Sequence, residues 1–175
     1  MQVQILFIKE ILKLSLRGKI QLQGITSASE LFLSIILGNL QYQDPDGKCG
    51  FTELPAIAIE NLKSILKLCK DNLQKAGDKT DSDGVLRGTK VGEDSWKPHS
   101  GDLILPLVFL KSTGMFDIPP PEAGHLTLTA THLSLVEFSC AAGILLSSDL
   151  ASEMKKIENE DRFKAVSVYI GYILI

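Results

Sequence analysis

Apolar positions recur at helical spacing through the first half of the chain and shift toward strand-like spacing in the second. Over residues 5–16, Ile5, Ile8, Leu12 and Leu16 share one helical face, Lys9, Lys13 and Arg17 lean to the other, and Gly18 closes the pattern. Residues 19–23 alternate polar and apolar, as a short strand or an extended linker would. Ser27-Ala28-Ser29-Glu30 has the spacing of a capping box and opens a helix to about Leu40 through Leu31, Phe32, Ile35, Ile36 and Leu37. That helix is apolar almost all round, which places it centrally in a core. Thr52 caps the next helix, with Glu53 and Pro55 in its first turn. Ala58, Leu62, Ile65, Cys69 and Leu73 form its stripe, Lys63, Lys67 and Lys70 its wet face, and Gly77 its stop. Phe32, Ile36, Leu40, Leu62, Ile65 and Leu66 are then expected to bury against each other as a helical hairpin around a turn at 43–51.

Residues 77–102 change character. Gly77, Gly84, Gly88, Gly92 and Gly101, among many Asp, Lys and Ser, predict a long loop or linker, with Trp96 anchoring it to the core. Leu103–Leu110 predicts a buried strand, and Pro119-Pro120-Pro121 a stiff spacer. Residues 125–138 alternate, with a break in phase at His132-Leu133 that predicts a bulge. Ser148-Asp149 opens a polar helix ending near Asn159, and Val166-Ser167-Val168-Tyr169-Ile170 reads as a last strand. That terminal apolar segment is expected either to be buried in the sheet or to stand as an edge that recruits another chain.

The 175 residues allow one domain, or two small ones, with a real core. A helical region at 1–76, the loop or linker at 77–102 and a β-rich region at 103–175 are expected, or one single domain comprising both halves. Hydrophobic content of 45% and charged content of 22% are those of an ordinary globular chain. A net charge of −3 argues against nucleic acid or an anionic membrane as partner, since both need a concentrated basic face. Apolar runs are too short to span a bilayer, so no integral membrane insertion is expected. Lys9, Glu10 and Lys13 interrupt the N-terminal apolar run, which argues against a signal peptide. Cys49, Cys69 and Cys140 make no complete disulfide set and no metal-binding spacing, in keeping with reduced thiols in the cytoplasm.

Candidate chemistry lies at two places. The hinge Gln43-Asp44-Pro45-Asp46-Gly47-Lys48-Cys49-Gly50 reads as a plain turn, a damaged cation loop or part of a docking motif. With Gly47 at position 6 of a calcium loop, Asp44, Asp46 and Glu53 fall at ligand positions 3, 5 and 12, but Tyr42 occupies position 1. The related Asp81-Ser82-Asp83-Gly84 places lysines at two ligand positions. Phe138-Ser139-Cys140-Ala141-Ala142-Gly143 is placed like a strand-to-helix elbow carrying a thiol nucleophile, with His125 and His132 upstream as bases. Phe138 stands where elbows need a small residue, and a buried Cys commonly serves as a small hydrophobe. His125 and His132, seven residues apart, point to opposite faces of a strand unless a bulge intervenes, and with no acidic or thiol partner at ligand spacing zinc is left without a set of ligands. No nucleotide-binding fingerprint is present.

Phe32, Leu33, Ile35, Ile36, Leu40, Gln41, Gln43, Asp44 and Pro45, followed by Phe51-Thr52, stand at matching spacing to a known signature, with Asn39 where Gln is usual. Over residues 32–54 the chain resembles the N-terminal segment of the flagellar hook-capping (hook assembly) protein family. The resemblance implies a scaffold that docks other proteins through N-terminal helices, without catalysis.

The expected fold is α+β: an N-terminal helical hairpin, then a small, mainly antiparallel sheet with one further helix. The expected function is a non-enzymatic interaction, scaffold or assembly protein that binds another protein or itself and uses no cofactor. The alternatives are a degenerate helix-loop-helix calcium binder and a small cysteine-dependent enzyme using Cys140.

Overall fold

A computed structural model describes residues 28–42, 56–75 and 84–174. The chain is α+β, with helices packed on an antiparallel five-stranded sheet. In order run α1 (Ala28–Tyr42), α2 (Ala56–Lys75), β1 (Val85–Val91), β2 (Ser95–Pro98), β3 (Leu105–Pro106), α3 (Leu107–Thr113), β4 (Phe116–Asp117), β5 (His125–Ala130), α4 (Leu133–Leu145), α5 (Leu150–Ile157) and α6 (Lys164–Leu174). The strand order is β3-β2-β1-β5-β4.

The segment expected to be a loop carries half of the sheet. β1 and β2 form a hairpin about Gly92, whose φ of 62° suits its turn, and β1 pairs on its other side with β5. Leu86 opposite Leu128, and Gly88 opposite Leu126, face the core, while Arg87 opposite Thr127 faces out. Glycine and proline at the inward positions Gly88 and Pro98 hide this alternation from a hydropathy reading. Gly88 has a packing reason: a Cβ there would strike the Trp96 indole and the Lys97 carbonyl oxygen. The indole thereby lies across β1 and donates from Nε1 to the Leu126 carbonyl at 2.9 Å, fully buried. The anchoring role expected of Trp96 holds, within a strand.

Three apolar segments expected as strands are helical in part or throughout, while residues 125–130 keep the expected strand as β5. Leu103–Leu110 gives only the short β3, after which Pro106 caps α3 and Gly114, at φ 67°, ends it. Residues 125–138 split at the predicted bulge. His132 is instead the extended N-cap of α4, so the break in phase marks a helix start. Val166–Ile170 lies within α6, where Val166 and Ile170 are buried and Val168 is 54% exposed. An alternating strand would bury Val166, Val168 and Ile170 together, whereas helical spacing buries 166 and 170 and turns 168 outward. More than one helix therefore follows the first two.

α4 is apolar around most of its circumference and divides two clusters. Leu135 and Phe138 join α1, α2, α3 and the inward face of the sheet, where Phe32, Ile36, Ile65, Trp96, Leu110 and Leu128 are buried. Cys140, Ala141 and Ile144 join Leu73, Ile157, Phe163, Val166 and Ile170. Phe32 bridges the helices, with its ring 5.6 Å from Phe138 and 5.5 Å from Tyr169. Both helices of the expected hairpin exist and share the first cluster, but they do not pack against each other along their length as expected, because other helices lie against each. α2 packs most extensively along α4, and α1 along α3 and α6. Their connecting turn lies outside the described residues.

Candidate functional site: a lysine-lined cleft on α2

The stripe Leu62, Ile65, Cys69 and Leu73 turns α2 inward and leaves Lys63 and Lys67 facing solvent. Lys70, expected on the wet face, is instead only 6% exposed. The cause is the crossing of α4 over α2. Gly143 sits so close that an added Cβ would be 2.6 Å from the Leu66 carbonyl oxygen and 3.0 Å from the Lys70 Cβ. α4 therefore lies directly on this turn of α2 and ends at Leu145. The chain then turns through Leu146, Ser147 and Ser148 into α5, where the Asp149 carboxylate accepts from the Ser152 amide at 3.1 Å. Between α2 and that turn opens a cleft of about 440 Å³. Lys63, Ser64, Lys67 and Lys70 line one wall, and Gly143, Leu146, Ser147 and Ser148 the other.

The base of the cleft is held by a buried ionic network. Lys70 Nζ lies 3.4 Å from both Asp71 Oδ1 and Glu153 Oε1. Glu153 also accepts from Lys156 at 2.8 Å and from Gln74 at 2.6 Å. Burial pushes the Glu153 carboxyl up, but the hydrogen bonds from Lys156 and Gln74 and the charge of Lys70 outweigh it and hold the group at about 2. Arg162, in the 3-10 turn Asp161–Phe163 that leads into α6, ties that turn to α2 by donating to the Gln74 carbonyl at 3.2 Å, with its guanidinium 4.5 Å from the Phe163 ring centre. These charges fix helices to one another and set the wall of the cleft in place.

On its other side α2 borders a second cleft, of about 310 Å³. Ser64, Lys67, Leu68 and Asp71 face the loop Ser100-Gly101-Asp102-Leu103 across it. Lys67 thus stands between two openings. The carboxylates of Asp71 and Asp102 give the second a mixed character, whereas the described lining of the first contains no carboxylate.

The residues singled out by sequence fall elsewhere. Asp44, Asp46 and Glu53 lie outside the described residues. Cys140 lies in the interior of α4, not at a strand-to-helix elbow, and is fully buried. Burial pushes its thiol up to about 12 against the partial relief of Lys70, so the thiolate needed of a nucleophile is scarce near neutrality. Cys69 is likewise buried and its thiol is raised by burial. His125 meets His99, not His132, with ring centres 5.9 Å apart and edge to face. His132 is partly buried at the start of α4 and is lowered by that burial, with Asp117 opposing. Among the described residues no group of three or more His, Cys, Asp or Glu side chains could hold a metal ion, and no helix is long and apolar enough to cross a membrane. No family model, no curated protein and no solved structure matches the chain.

In the sequence the parts of the cleft stand apart, as the wet face of α2 and the polar start of α5. Gly143 is the signal that joins them, since a glycine inside an otherwise apolar helix marks a close approach.

Proposed function

We propose that the chain is a non-enzymatic protein-interaction module that receives a partner at the cleft between α2 and the α4–α5 turn. The character of that cleft carries the reading. Its described walls offer ammonium groups, hydroxyls and one exposed leucine, on helices locked by the network beneath. Such a set can bind and orient a partner through hydrogen bonds, charge and apolar contact. The surroundings supply apolar contact area, since Ile59, one turn before Lys63, is 41% exposed, Leu146 is 55% and Leu150 is 40%. The resemblance at residues 32–54 agrees with an interaction role but does not carry it, because Phe32, Ile35, Ile36 and Leu40 are buried in this chain's own core.

Two measurements test the reading. A photo-crosslinking side chain at Leu146 should give a saturable, discrete protein adduct in cell extract, and the same group at Thr129 on the outer face of the sheet should not. Equal adducts from both positions, or none from Leu146, would contradict it. Iodoacetamide should spare Cys140 in the native protein and label it only on unfolding. Fast, selective labelling of native Cys140 would instead favour the cysteine enzyme.

A further inference from the structure

We infer that the occupant of this cleft is a short acidic peptide segment of a partner protein, seated with carboxylates on Lys67 and Lys63 and an apolar side chain against Leu146. The inference rests on the interaction reading above and adds the chemistry of the partner.

Charge complementarity selects the occupant. The chain as a whole carries −3, yet the described lining of the cleft has three lysines and no carboxylate. The three are not equivalent. Lys70 is held at the base by Asp71 and Glu153 and is not spare. Lys63 pairs with Glu60 at 2.9 Å, but both side chains are more than half exposed, so that pair is weak and exchangeable. Lys67 makes no ion pair among the described residues, and its exposed side chain lines the cleft. Ser64 and Ser148 add hydroxyl donors on opposite walls, which a carboxylate accepts from readily. The exposed Leu146 beside them gives a contact that an inorganic anion cannot use. Lysine ammonium groups recognise such a ligand as point charges, which favours carboxylates on a flexible segment over one planar, bidentate group.

The test is fluorescence anisotropy on the full chain with a labelled peptide of alternating Glu and Leu. Saturable binding is expected, weakening at least ~10-fold between about 0.05 M and about 0.5 M salt as the charges are screened. Lys67→Glu should weaken it by ~10-fold or more, Lys67→Arg should retain it within ~3-fold, and Lys155→Glu on exposed α5 should leave it unchanged. Absence of saturable binding would overturn the inference, as would equal loss in Lys155→Glu or equal binding of a Lys-for-Glu peptide. Displacement by inorganic phosphate at matched ionic strength would replace the peptide by a small anion. A concentration-dependent dimer abolished by Lys67→Glu would replace it by a second copy of this chain. If the peptide fails while the Leu146 photo-adduct persists, only the acidic assignment falls; if both fail, the interaction reading falls with it.

Discussion

Ser139 lies fully buried on α4, and its hydroxyl has no hydrogen-bond partner among the described residues. Leaving a buried hydroxyl unpaired costs about 1–3 kcal/mol, whereas an apolar replacement of similar shape carries no such cost. Ser139→Ala should therefore raise the urea midpoint, by about 1 kcal/mol of stability. A destabilisation would show that the hydroxyl is bonded. Ile65, fully buried on α2, gives the opposite case: Ile65→Ala should cost ~2–5 kcal/mol. A cost below ~0.5 kcal/mol, that of a surface change, would contradict the packing of α2. At this scale the apolar core was legible. Phe32, Ile36, Leu40 and Ile65 all lie where their spacing puts them. Gly88 and Gly143 were not, since a glycine reveals its packing role only through the neighbour it admits.

At the scale of elements, local punctuation decided what could be read. α1, α2 and α5 carry recognisable starts or amphipathic stripes, and Asp149 caps α5 much as its sequence suggests. α3, α4 and α6 are short apolar runs whose residues satisfy a buried strand and a buried helix alike. In α6, β-branched Val166 and Val168 favour the strand reading, and only packing of Val166 and Ile170 beside Phe163 settles the helix. Two substitutions separate the periods. Val166→Asp should unfold the protein or cost several kcal/mol, as an unpaired buried charge does. Val168→Asp should change stability by no more than about 0.5 kcal/mol, as exposed positions do. Equal damage from both would restore the strand. The clearest misreading, residues 85–98 as a loop, arose because inward Gly88 and Pro98 lack the apolar bulk that alternation depends on.

Across the whole molecule, the ionic network on Glu153 joins α2 and α5 and makes stability depend on acidity. The carboxyl stands at about 2 in the folded chain against an ordinary 4.5. A depressed folded value stabilises above the unfolded one, so the contribution is complete above about pH 5 and disappears as pH falls toward about 2. It amounts to roughly 3 kcal/mol at most. Urea midpoints should fall between about pH 6 and about pH 3, and Glu153→Gln should flatten that slope. An unchanged slope in the variant would place the acid sensitivity elsewhere. The same network explains why the cleft was invisible in the sequence. Its walls come from α2, from the end of α4 and from the turn that follows it, and Lys70, Glu153 and Gly143 must meet before the opening exists. The most direct test of this cleft as the recognition surface is amide hydrogen exchange with and without the Glu/Leu peptide. Slowed exchange should be confined to residues 63–70 and 146–150, with β5 unchanged. No protection there, or protection centred on another face, would contradict recognition at the cleft.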